Sequence, residues 1–273
     1  MNSRRWQWCA GTIGVLIFGF MLNVFVISDI SHDRAQRLLY AEFRSSLKNG
    51  GAPVDSPIAE GTPVAIIKIP SIDVDEVVVE GTSSRDLQRG VGHLRSSALP
   101  GQYGTSVLIG RRTSFGGVFG KIGSLEPGDE IQVVSAQGTT TYRVASKDTF
   151  GGEDAAAFAP AGNALRLVTS ASTFGTSKRL SVLALAEKGT AFPVGLKSVI
   201  SPVSLDELGA NMNHQNAGSL LVWLQILIAA LAGAIWAVSR WGLRSAWPMV
   251  SPVILVVLYV VSNQLIGILP SYF

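Results

Sequence analysis

The chain has 273 residues, 47% of them hydrophobic and 15% charged, with a formal net charge of +3. So apolar a composition points to membrane spans beside one modest folded unit, and the small, scattered positive excess gives no footprint for nucleic acid. The single cysteine, Cys9, excludes an intrachain disulfide, and with no lipoprotein-like sequence before it reads as apolar filler.

Residues 1–9 carry Arg4 and Arg5 and precede an apolar run at 10–28. That run is close to the ~20 residues a bilayer-crossing helix needs. No small-x-small cleavage site follows it, so it reads as an uncleaved anchor. Residues 29–62 form the next segment. Within 33–47, Leu39, Phe43 and Leu47 recur at helical spacing among charged residues. The pattern predicts a stalk helix continuing from the anchor. Gly50, Gly51, Pro53 and Pro57 then mark a linker over 49–62.

From 63 to 187 the pattern changes to short β runs with turn punctuation. Strands are expected at 63–69, 73–79, 105–110, 130–135, 139–147, 164–170 and 179–186, with Gln137-Gly138 as a hairpin turn. Seven or so short strands suit one closed barrel or sandwich. A single short helix is expected at 119–125, and 188–217 reads as a turn-rich connector with a helical turn at 204–208.

Two more apolar runs follow, 218–239 and 247–269, separated by a loop at 240–246 that contains Arg240 and Arg244. The positive-inside rule puts the N-terminus and this loop in the cytoplasm. The main domain and the tail 270–273 are then extracytoplasmic, in a multi-pass plasma-membrane protein. Asn23, Gln225, Asn263 and Gln264 all fall at one depth, roughly 8–10 Å below the outer boundary. They either reach toward the headgroups or form a polar layer that ties the helices to one another or to a partner. Ala229, Ala230, Gly233, Ala234 and Ala237 give the second span a face suited to close helix contact.

Several motifs in the β region recur in a familiar order. Ile69-Pro70-Ser71-Ile72 opens it, followed by Val79-Glu80-Gly81-Thr82, Gly90-Val91-Gly92-His93 and Leu99-Pro100-Gly101-Gln102. Leu125-Glu126-Pro127-Gly128-Asp129 and Tyr142-Arg143-Val144 come next, then the strand ending Val168-Thr169-Ser170, then Arg179. Together these resemble the sortases, membrane-anchored transpeptidases of Gram-positive and actinobacterial type, most closely classes D and E. The resemblance implies an all-β sortase-like closed β-barrel of about seven to eight strands with short helices, here accompanied by three transmembrane helices. In that family the site strand ends in Thr-Cys with the cysteine as nucleophile, a Gly-x-Arg-Thr turn carries a histidine, and a later arginine steadies the acyl intermediate. Here Ser170 stands in the cysteine position and Arg111 in the histidine position, while Arg179 is retained. The member is therefore degenerate.

The substitutions matter chemically. Cysteine titrates near ~8.5 and forms a thiolate readily, whereas Ser170 needs an adjacent base. A guanidinium stays protonated and cannot take that proton. His32 and His214 lie beside membrane runs, and His93 reads first as structural, with a Ser170–His93 hydrolase as the alternative. Arg111, Arg112 and Arg179 are expected near Thr169, Ser170 and Ser172, where they would bind an anionic group or a peptide. Alternatively Arg111 points to solvent or pairs with Glu153 or Asp154. No cofactor or metal ion is implied. The leading expectation is a catalytically inactive, sortase-like scaffold or accessory subunit of a cell-envelope complex, meeting other membrane or cell-wall proteins through its helices and barrel. A Ser170-dependent transpeptidase or hydrolase and a peptide- or anion-binding receptor are the alternatives.

Overall fold

The computed structural model describes residues 28–51, 58–151, 158–172, 178–193 and 217–268. They fall into two units, one built on the β region and one on the C-terminal helices. The expected elements at residues 1–27 and at 204–208 lie outside the described residues.

Eight strands close the barrel: β1 (Pro63–Ile69), β2 (Val74–Glu80), β3 (Val91–His93), β4 (Thr105–Ile109), β5 (Glu130–Ser135), β6 (Gly138–Gly151), β7 (Ala164–Ser170) and β8 (Lys178–Ala186). Their order around the barrel is β1-β2-β3-β4-β7-β8-β6-β5. The neighbours β2/β3 and β4/β7 run parallel. Ala136 and Gln137 alone join β5 to β6, as the hairpin signal at Gln137-Gly138 requires.

Side chains alternate across a strand, and both faces of the site strand are covered. Leu165 and Leu167 of β7 enter the main core with Ile67, Leu108, Tyr142 and Val182. Val168 faces outward into a second cluster with Leu87, Val107 and Ile109. All seven residues of β7 are buried in consequence. The strand accordingly reads Ala-Leu-Arg-Leu-Val-Thr-Ser, without the regular apolar–polar alternation of a half-exposed strand.

Leu87 belongs to a helix that the sequence reading omitted, α2 (Ser84–Arg89). Its signal is a capping box, with the Ser83 side chain accepting from the Asp86 N–H and the Asp86 carboxylate accepting from the Ser83 N–H. The short helix expected at 119–125 is instead a 3-10 turn, Ile122–Ser124. Its bonds run three residues back, Leu125 N–H to Ile122 O and Ser124 N–H to Lys121 O. Gly120, Gly123 and Pro127 deprive this stretch of the propensity for a longer helix.

The stalk helix, α1 (Ser28–Lys48), is longer than expected and lies on the barrel instead of standing off it. Leu39 and Phe43 are fully buried against Ile66, Val77 and Val79. Because β3 has only three residues, the Val77 N–H lies past the end of its ladder, and Gln36 Oε1 accepts it at 2.8 Å. Gln36 Nε2 donates to Arg89 O at 2.7 Å, and His32 Nε2 lies 3.1 Å from both Glu76 carboxylate oxygens. The linker joins the barrel too, through Gly61 N–H to Glu80 O and the buried Ile58. At the other end Phe192 pairs with Gly101 and Tyr103.

The second unit is a pair of helices, α3 (Ala217–Trp241) and α4 (Leu243–Ile268). Trp223, Leu227 and Leu231 pack on Val257 and Val261. The loop expected at 240–246 reduces to Gly242, whose φ of 78° suits a residue without Cβ. Arg240 and Arg244 thus sit within helix ends. Val222–Trp241 is long and apolar enough to cross a membrane, whereas the apolar part of α4, Val250–Val261, is shorter, so the expectation of three spans is met by one among the described residues. Of the proposed polar layer, Gln225 is exposed on α3, while Asn23 and the side chains of Asn263 and Gln264 lie outside the described residues.

Candidate functional site

The site positions converge where β4 and β7 end side by side. The two strands are parallel, with Ile109 beside Val168. Beyond that pair the Gly110 N–H donates to Val168 O at 3.1 Å, and Thr169 Oγ1 donates to Gly110 O at 2.8 Å. A Cβ at Gly110 would lie 2.5 Å from the Phe119 ring, so glycine is needed for the buried phenylalanine to cover this strand end. The chain then turns at Arg111, whose carbonyl accepts from the Phe119 N–H at 3.0 Å.

Arg111 is 1% exposed, so it does not point to solvent. Its guanidinium donates to Ser84 Oγ at 2.9 Å, to Ser84 O at 3.3 Å and to Ser114 Oγ at 3.2 Å. It also lies 5.3 Å from the centre of the Phe115 ring, within cation–π range. Burial pushes it down to about 10, which still leaves it a cation at neutral pH. The alternative partners Glu153 and Asp154 lie outside the described residues.

Arg112, not foreseen as different from its neighbour, reaches the nucleophile position directly: it donates to the main-chain carbonyl of Ser170 at 3.0 Å. Ser170 is 1% exposed, and its Oγ donates to Ser172 O at 2.9 Å. Arg179 stands opposite Ser170 in the β7/β8 ladder, and its guanidinium lies 5.1 Å from the Phe158 ring centre. The structure therefore places Arg112, Thr169, Ser170 and Arg179 beside one another at the strand ends. It also adds partners the sequence reading missed: Ser84, Ser114, Phe115 and Phe158. Only Ser84 had a local signal, its place in the first turn after the Ser83 cap.

His93 is not a base for Ser170. It pairs with Leu108, which pairs with Leu167, so Ser170 lies two strands over and three residues on. At ~4.8 Å per strand and ~3.3 Å per residue the Cα separation is roughly 14 Å. The His93 ring is fully buried and already held, with Nδ1 2.7 Å from Glu80 Oε2 and Nε2 2.8 Å from Ala98 O. Its role is structural, linking β3 to β2 and to the following loop. His32 likewise serves the contact between α1 and the barrel.

A nucleophilic hydroxyl must lose its proton to a base as it attacks. Here the Ser170 hydroxyl donates to the main-chain carbonyl of Ser172, an amide oxygen and no base, and two guanidinium groups, those of Arg112 and Arg179, belong to residues beside it. What the arrangement does provide is a cationic strand end held by hydrogen bonds from Arg112 and Thr169.

Residues 67–187 match the family described as Sortase domain. Among curated proteins, the chain is 38% identical over 84 residues to Sortase D of Bacillus subtilis (strain 168), a match spanning 31% of this chain and 41% of that relative's length. Among solved structures, a Sortase D5 transpeptidase of Clostridium perfringens aligns at 23% identity over 57% of this chain and 98% of its own, with a TM-score of 0.48. Sortase E1 of Streptomyces coelicolor, solved with a tripeptide in its active site, aligns at 28% identity over 47% and 90%, with a TM-score of 0.43.

Proposed function

We propose that this chain, whose residues 67–187 match the Sortase domain, is a sortase-like protein without catalytic activity: a membrane-anchored, extracytoplasmic scaffold or accessory subunit of a cell-envelope complex. The observation that carries this reading is the state of Ser170. Its hydroxyl donates to Ser172 O, and Arg112 holds its carbonyl. Arg111 fills the position from which the family's histidine would act, and at neutral pH it is a buried cation with no lone pair to offer.

The arginine cluster supports a structural role over a ligand-holding one. Arg111 donates to Ser84 and Ser114, Arg112 to the β7 end, and Arg179 lies over Phe158. In this reading the cations hold the strand ends and the α2 turn together. Membrane attachment is supported by the apolar helix Val222–Trp241. The apolar runs 10–28 and 247–269 complete a three-span arrangement, with Arg4, Arg5, Arg240 and Arg244 on the cytoplasmic side. The partners in this reading are other membrane or cell-wall proteins.

The experiment pairs two readouts on the full chain purified in mild detergent from its native membrane. The scaffold reading expects a membrane or wall protein to co-purify in stoichiometric amount, unchanged in Ser170→Ala, and no turnover of sorting-motif peptides. Turnover that disappears in Ser170→Ala would overturn it in favour of a serine enzyme.

A further inference from the structure

Helix α1 has two unlike faces. One carries His32, Gln36, Leu39 and Phe43 and is fixed to the barrel. The opposite face repeats at spacings of three and four, Ile30, Arg34, Arg37, Ala41, Arg44 and Lys48, and every one of these residues is exposed. Ile30, on this face, and Leu38, at its edge, are 61% and 63% exposed. The four cations, Arg34 to Lys48, are spread over 15 residues, roughly 21 Å of helix. Of the acidic residues on the helix, Asp29 accepts from the Gly116 N–H, and Asp33 and Glu42 flank the stripe from either side.

We infer that this outer face of α1 binds anionic phospholipid headgroups of the bilayer. A solvated charged face is the ordinary fate of an exposed helix, but three features here point to lipid. All four residues on the stripe with formal charge are cationic. Large apolar side chains stand exposed among them, as in helices that lie in an interface with cations at headgroup level and apolar groups below. The apolar run 10–28 leads straight into the helix, so its first residues start close to a membrane if that run is inserted. Juxtamembrane cations are drawn to anionic lipid over about a Debye length. Because the barrel grips the other face, lipid contact along α1 also orients the barrel.

The test uses the full chain in nanodiscs, with Cys9→Ser and an environment-sensitive fluorophore on Ala41→Cys. The inference expects a blue-shifted emission in discs containing phosphatidylglycerol relative to pure phosphatidylcholine. The shift should be lost when Arg34, Arg37, Arg44 and Lys48 are all changed to Gln, and lost in ~1 M salt, where the screening length falls to about 3 Å. Changing Arg240 and Arg244 to Gln should leave it intact. Identical emission in both lipids, a shift that survives the four-Gln variant, or a shift produced only by a soluble glycerol-phosphate polymer would overturn it.

Discussion

Arg112 donates to the main-chain carbonyl of Ser170 at 3.0 Å while the Ser170 hydroxyl turns to Ser172 O at 2.9 Å. Both polar groups of the residue in the nucleophile position are thus committed to holding the end of β7. A charge-assisted hydrogen bond of this kind is worth about 1.5–3 kcal/mol. Arg112→Ala should lower the unfolding midpoint of the detergent-solubilised chain by a corresponding amount, and Arg112→Lys should restore only part, since a point charge cannot reproduce the planar donor.

Restoring the family's two reacting groups separates lost chemistry from a lost groove. Ser170→Cys alone should show no cleavage, because Arg111, in the histidine position, is too weak an acid to protonate the leaving amine. Ser170→Cys with Arg111→His should gain slow cleavage of sorting-motif peptides, read by mass spectrometry. The double variant should also be less stable than the parent, because Ser84 Oγ and Ser114 Oγ lose the guanidinium that bonds them.

The docking of α1 should depend on pH. Burial disfavours protonated His32, but the hydrogen bond and charge of Glu76, with the charge of Asp33, outweigh it and leave the group raised above 6.5. The native state then binds the proton more tightly than the unfolded chain. The resulting stabilisation is fully present below the ordinary value and is lost as pH rises through the raised one. Thermal midpoints should fall across that interval in the parent, and the fall should shrink in Glu76→Gln.

Gly110→Ala places a Cβ 2.5 Å from the buried Phe119 ring. Overpacking of this kind costs about 1–3 kcal/mol. The expected outcome is a lower unfolding midpoint, with partial recovery when Phe119→Leu is added to make room.

Much of the barrel was legible because its signals are local. The seven expected strands fall within one residue of those observed at nearly every boundary, since apolar runs and turn residues such as Gln137-Gly138 mark them. The exception is β6, which continues to Gly151 because its ladder with β8 extends that far, a pairing between distant segments. β3 escaped notice because three residues, one of them Gly92, carry no periodicity. Helix α2 was betrayed only by its capping box. At the site, the resemblance to the sortases brought Arg111, Arg112, Ser170 and Arg179 into view together. It did not reveal that Arg111 turns to Ser84, a residue on an element the strand pattern never disclosed. Nor did it show that the stalk lies on the barrel, since Leu39 and Phe43 need Ile66, Val77 and Val79 to explain their burial.

The most direct test of the proposal that this protein is without catalytic activity is intact-mass spectrometry of the full chain after incubation with an activated acyl donor built on a sorting-motif peptide. The account predicts an unchanged mass. A one-to-one acyl adduct mapped to Ser170, and absent from Ser170→Ala, would contradict it.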